Sequence, residues 1–186
     1  MVGSFRQYLV EEEKVVFFSF GRMNPPTIGH EKLLDKLSSA AGKNTYRLYL
    51  SQSYDKNKNP LEYKNKVRFV RKMFPRHARN VILNTNLRNV MQVASSLYNE
   101  GFRKIVMVAG SDRLREFSVL LDKYNGKKGA HGFYNFMDIK VISSGERDPD
   151  SEGVEGMSAS KMRAAAKDSD FTKFSQGLPK SFSNSD

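Results

Sequence analysis

The sequence contains no cysteine. That excludes a disulfide scaffold, thiolate zinc and iron–sulfur centres, and a cysteine nucleophile. No apolar run approaches the ~20 residues of a membrane span, and residues 1–14 lack the apolar core of a signal peptide. These absences predict a soluble, cytoplasmic protein with no membrane partner. Neither G-x-G-x-x-G nor G-K-[ST] occurs, so the dinucleotide fingerprint and the Walker loop are excluded. There is also no internal repeat at solenoid or propeller periods and no long low-complexity segment.

What is present is an ordinary globular composition carrying an uneven charge. With 186 residues, 39% of them apolar, the chain has room for one domain and a sizeable core. Residues 1–177 are expected to form that domain, and 178–186 a flexible tail. Thirty-one Lys and Arg face 20 Asp and Glu, a formal charge of +11. Residues 43–88 hold twelve of the basic residues against only Asp55 and Glu62, and the remainder of the chain is almost neutral. A local excess of this size implies a polyanionic partner: nucleotide phosphates or a nucleic acid.

Short β-branched and aromatic runs alternate with helical patterns. Strands are predicted at 14–20, 46–51, 81–83, 104–109 and 138–143. Helices are predicted at 31–40, 60–74, 90–98, 113–124, 158–167 and 170–175, and residues 127–134 read as a mobile loop. This alternation predicts an α/β, Rossmann-like domain: a parallel five-stranded sheet with helices on both faces. Ligands of such sheets bind beyond the carboxyl ends of the strands, at a topological switch point. The stretches 21–30, 51–59, 84–88, 110–113 and 143–150 are therefore the candidate site.

The first of these is the most informative. Gly21, Arg22, Met23 and Asn24 lead into Pro25-Pro26, then Thr27, Ile28, Gly29 and His30. The prolines stiffen the loop, and Gly29 removes a side chain at the mouth of the following helix. His30 falls in the first helical turn, where amides and the helix dipole favour an anion. Thr27, three residues earlier, can face the same ligand. This segment resembles the G-x-[FM]-x-P-x-[HT]-x-G-H signature of the nucleotidylyltransferase superfamily. Thr27 stands at the first His of the usual H-x-G-H, a replacement also found in phosphopantetheine adenylyltransferases.

A second segment, 156–163, is similar to the family's I-S-S-T-x-x-R motif, through Ser158, Ser160 and Arg163. Gly110-Ser111-Asp112 resembles the family's G-[AS]-D turn. Lys58-Asn59-Pro60-Leu61, with Lys66 and Arg68 beyond it, resembles the N-P-[FL] segment of archaeal-type nicotinamide-mononucleotide adenylyltransferases. The resemblance spans roughly residues 14–167 and is similar to small members encoded by large tailed phages, which would act in the host cytoplasm.

The resemblance implies transfer of a nucleotidyl group, adenylyl for preference, from a nucleoside triphosphate (ATP or CTP) to a small phosphorylated acceptor. Nicotinamide mononucleotide is the model acceptor. Thr27, His30 and Arg163 are the implied catalytic residues. Gly21, Arg22, Met23, Asn24, Gly29, Gly110, Asp112, Ser158 and Ser160 would bind the nucleotide. Lys58, Lys66, Arg68 and Arg147 would bind the acceptor. No carboxylate cluster offers a protein metal cage, so Mg²⁺ would arrive with the triphosphate. Three alternatives remain open: a cytidylyltransferase acting on a phosphorylated alcohol, a non-catalytic nucleotide- or RNA-binding protein of the same fold, and a virion component. Related folds commonly form dimers or larger rings.

Overall fold

A computed structural model describes residues 14–145, 157–179 and 182. In the first strand, β1 (Val15–Gly21), Val16 and Phe18 are buried on one face and Phe17 packs on the other. The period-2 pattern of apolar residues thus serves two separate cores, as a sheet covered on both sides requires. Next come α1 (Gly29–Ala41), β2 (Thr45–Leu50), α2 (Tyr63–Met73) and α3 (Val90–Asn99). Then follow β3 (Lys104–Ala109), α4 (Leu114–Tyr124), β4 (Asp138–Ser143), α5 (Ala159–Lys167) and α6 (Phe171–Ser175). Leu34 and Leu37 of α1 pack with Val67 and Val70 of α2 on one face, and Val93 and Leu97 of α3 pack with Phe117 and Leu121 of α4 on the other.

The strands are parallel in the order β2-β1-β3-β4. The sheet has four strands rather than the expected five. The missing one is 81–83, which makes a single bridge, Leu48 to Val81. Two of its carbonyls are taken by side chains. Arg71 donates to the Val81 carbonyl from Nε (3.2 Å) and Nη2 (2.7 Å), and the Tyr63 hydroxyl donates to the Ile82 carbonyl (3.3 Å). A segment capped in this way cannot extend a ladder, and it shields the β2 edge instead.

Helix limits follow local chemistry. Pro75 opens a 3-10 turn (Pro75–Asn80) and ends α2. Asn89 caps α3 by accepting from the Gln92 amide at 2.9 Å. The segment 127–134, read as mobile, is anchored by Tyr134, which is fully buried and donates its hydroxyl to the Leu121 carbonyl. Leu178 and Phe182, expected in a free tail, pack against the α1–α2 core.

The switch point lies between β1 and β3. Their ladder runs only from Val15–Lys104 to Phe18–Met107, whereas β1–β2 and β3–β4 stay paired to Gly21–Leu50 and Ala109–Ser143. The two central strands therefore part before their carboxyl ends, and the crevice between them is open. No helix among the described residues is long and apolar enough to cross a membrane.

Candidate active site

A cavity of about 480 Å³ fills that crevice, within the range of small-molecule sites. Ser19, Phe20 and Gly21 from β1 and Ala109 and Gly110 after β3 line its floor. The loop after β1 adds Arg22, Met23 and Asn24, and α1 adds His30. Asn24 is buried and shapes this loop: its Nδ2 donates to the Leu61 carbonyl (3.1 Å) and its Oδ1 accepts from the Leu61 amide (3.0 Å). Met23 takes a positive φ of 42° with its side chain buried, so the backbone turns sharply beside the exposed Arg22.

His30 reaches the cavity, but Thr27 and Gly29 do not line it. Thr27 is buried behind the ring, where its backbone amide and its hydroxyl both lie 2.9 Å from His30 Nδ1. An amide N–H can only donate, so Nδ1 is the acceptor and the ring proton sits on Nε2. Thr27 is thus a positioning residue that makes His30 a donor. The helix N-terminus differs from expectation. The amides of Ile28, His30 and Glu31 are already given to Gly177, Thr27 and Ile28 carbonyls, which leaves few N–H groups for an anion.

The second motif closes the opposite wall. Ser158 caps α5 by accepting from the Lys161 amide (3.1 Å), and Ser158, Ala159 and Ser160 line the cavity with first-turn amides that have no partner within the helix. Arg163 joins the two motifs across 139 residues. Its Nη1 donates to the Asn24 carbonyl (2.6 Å) and its Nη2 to Ser160 Oγ (3.0 Å). Two bonds use only part of a five-donor fork.

On the β3 side, the Asp112 carboxylate folds over Gly110, so close that an added Cβ would lie 2.7 Å from Oδ1. Arg113 beside it pairs with Glu116 (2.8 Å) and lies over the Phe117 ring (4.9 Å). On the β2 side, the loop 51–59 is organised by Asp55, which accepts from the amides of Lys58 (2.6 Å) and Asn57 (3.0 Å) and from the Asn59 side chain. The Lys58 amide, then the Asn59 side chain, hold the Asp55 carboxyl below its ordinary pKa. This turn directs Lys58 and Asn59 to the cavity wall.

The expected acceptor-binding residues separate. Lys58 lines the cavity. Lys66 is fully buried, its ammonium donating to the Ser51 carbonyl and facing Ser51 Oγ at 3.5 Å. Ser51 in turn lines the cavity, so Lys66 lies behind the wall. Burial, then the nearby Arg22 charge, bring the Lys66 pKa down to about 8. Arg68 is exposed on α2 and outside the cavity, and Arg147 lies outside the described residues. Two cavity cations escaped sequence reasoning as site residues, Arg88 and Arg113. Gln52 donates to the Asn84 and Leu87 carbonyls (both 3.1 Å), which brings the Arg88 segment to the β2 loop. Both arginines fall in strand-end stretches, and that was their one signal.

Among the described residues, five cations (Arg22, Lys58, Arg88, Arg113 and Arg163) and His30 therefore surround the cavity, and Asp112 is the one carboxylate lining it. Such a site is built for a multiply charged anion. Compared with known proteins, the chain matches no family model and no curated sequence. Among the described residues, no group of three His, Asp or Glu side chains is arranged to hold a metal ion.

Proposed function

We propose that the protein is a nucleotidyltransferase, which moves a nucleotidyl group, adenylyl for preference, from a nucleoside triphosphate to a small phosphorylated acceptor. The observation that carries this reading is the convergence of His30, Arg22, Ser158, Ser160 and Arg163 on one cation-rich cavity at the β1–β3 switch point. Two segments about 130 residues apart, each similar to a nucleotidylyltransferase motif, meet there through the Arg163–Asn24 bond.

In the reaction, an acceptor phosphate oxygen attacks the α-phosphorus, the bond to the α,β-bridging oxygen breaks, and pyrophosphate leaves. The attacking phosphate is already ionised at neutral pH, so no general base is required. The protein's task is alignment and neutralisation of charge. His30 Nε2–H would donate to a non-bridging α-oxygen. Arg163, Ser160 and the first turn of α5 would hold the β- and γ-phosphates, with Mg²⁺ entering as part of the triphosphate substrate. Asp112 would accept from a ribose hydroxyl. With Arg22 reaching the triphosphate from its loop and Arg113 paired with Glu116, Lys58 and Arg88 are the cations left for the acceptor phosphate.

The test is pyrophosphate release from each of the four triphosphates, paired with nicotinamide mononucleotide and with a panel of phosphorylated alcohols. Turnover with one pair, abolished when the acceptor is omitted, is the expected result. Absence of turnover with every pair, together with retained triphosphate binding, would reduce the protein to a nucleotide binder.

A further inference from the structure

Lys66 is a buried charge that the transferase reading leaves unused. It is 0% exposed and belongs to the buried side of α2 with Val67, Val70 and Met73. A lysine is almost never fully buried unless a group of opposite charge is paired with it. Here the ammonium donates to the Ser51 carbonyl and faces Ser51 Oγ at 3.5 Å, and among the described residues it has no carboxylate partner. A carbonyl and a hydroxyl satisfy hydrogen bonds, but they leave the positive charge itself uncompensated.

The surrounding groups deepen the deficit. Ser51, just past the end of β2, is neutral, and Arg22, from the loop after β1, acts on Lys66 as a second cation. One turn back along the chain, Glu62 is exposed, and Tyr63 directs its hydroxyl to the carbonyls of Ile82 and Asn84. Ser51 and Arg22 both line the cavity, so the buried ammonium stands one residue behind its wall. Two like charges held on one side of a cavity cost the free protein stability, and an anion in that cavity offsets the cost. Burial, then Arg22, bring the Lys66 pKa down to about 8, so the free protein sheds this charge just above neutral pH.

We infer that Lys66 is a positioning charge of the anion site: acting through Ser51, it completes the field that holds a polyphosphate, and polyphosphate binding is coupled to its protonation. This rests on the cavity being an anion site, and it holds whether or not nucleotidyl transfer follows. Lys66 does not touch the ligand. Protonated, it offsets the negative end of the Ser51 carbonyl dipole and adds a fixed charge behind the wall. A bound polyanion favours the charged ammonium and raises its pKa. Below pH 8 the free and the bound protein both carry the charge, and affinity is full. Above pH 8 the free protein loses the proton first, so affinity falls until the bound protein has lost it too.

The test is isothermal titration calorimetry with ATP alone, without acceptor or Mg²⁺, at pH 8 and pH 9.5. A terminal phosphate loses its last proton at about pH 6, so ATP adds little pH dependence of its own. For a Lys66 pKa raised by one unit or more, wild-type affinity should fall roughly fivefold or more between these two pH values. Wild-type titrations at pH 9, in buffers of different ionisation enthalpy, should show uptake of about half a proton or more per ATP bound. Lys66→Met should bind weakly at both pH values and lose that proton uptake. Lys66→Arg, charged throughout, should keep at pH 9.5 the affinity it has at pH 8. Circular dichroism checks that both variants fold, and the wild-type proton count needs neither of them. ATP binding without proton uptake, or with the same pH dependence in wild type and Lys66→Met, would overturn the inference and leave the anion site standing. No ATP binding at any pH would overturn the anion reading of the cavity, and this inference with it.

Discussion

Thr27 supplies two donors to one ring nitrogen, and the two can be separated by mutation. Thr27→Val removes the hydroxyl but keeps the backbone amide, so Nδ1 remains an acceptor and the Nε2 proton stays in place. Loss of one neutral hydrogen bond of about 1 kcal/mol should lower turnover roughly fivefold. His30→Ala removes the donor itself and should lower turnover by about 10²–10³ with the fold intact, as read from pyrophosphate release and circular dichroism. Equal losses in the two variants would show that Thr27 touches substrate. The residue types were legible in the sequence, but the division of labour was not. Spacing alone put both side chains towards the ligand, and burial of Thr27 behind the ring depends on how the loop packs. Lys66 gives a pH test of its burial. Its pKa is about 8 in the fold against an ordinary 10.5, so between those values the unfolded chain binds more protons. Stability must therefore rise with pH in that window, by at most about 1.4 kcal/mol per pH unit from this group, and Lys66 carries its full penalty below pH 8. Urea denaturation at pH 8 and pH 10 should show this gain in the wild type and a smaller one in Lys66→Met.

At the level of elements, α5 must be held against the rest of the fold for Ser158, Ser160 and Arg163 to form a wall. The Gly177 carbonyl accepts from the Ile28 amide at 2.8 Å, which ties the chain after α6 to the start of α1. Gly177 is buried beneath α5, where an added Cβ would lie 2.8 Å from Met162 Cγ and 2.9 Å from Met157 Cγ. Met162 is fully buried and Met157 nearly so, so any shift that relieves the contact must disturb packed neighbours. Gly177→Ala should therefore cost about 1–3 kcal/mol in urea denaturation, the usual penalty of overpacking. It should also weaken triphosphate binding as α5 shifts, whereas a loss of stability with unchanged binding would detach α5 from the site. The alternation of strands and helices was readable because each element carries its own apolar period. The Lys104–Ala109 and Asp138–Ser143 strands have the predicted ends. Residues 81–83 misled because their β-branched composition says nothing about Arg71 and Tyr63 occupying their carbonyls. Local pattern reports what a segment can pair with, not what reaches it first.

Across the whole molecule, the positive charge is divided between two places that composition cannot distinguish. Arg22, Arg113 and Arg163 come from the nearly neutral part of the sequence yet line the cavity with Lys58 and Arg88. Arg88 and Arg113 enter the site only because β2 and β3 flank β1, a crossover that no local spacing encodes. If the cavity is the anion site, pyrophosphate should stabilise the fold through it. At 100 times its dissociation constant, a ligand adds about 2.7 kcal/mol. For a chain of this size that corresponds to a rise in Tm of roughly 5–10 °C. Arg163→Ala should lose most of this shift, since Arg163 both faces the anion and holds the Asn24 loop, and Arg88→Ala should lose less. Lys64→Gln with Lys72→Gln should keep it whole, because their charge lies on α2 outside the cavity. A shift that follows α2 instead of Arg163 would mean that the basic helix, and not the crevice between β1 and β3, is where phosphate binds, and it would remove the electrostatic basis for nucleotidyl transfer in this fold.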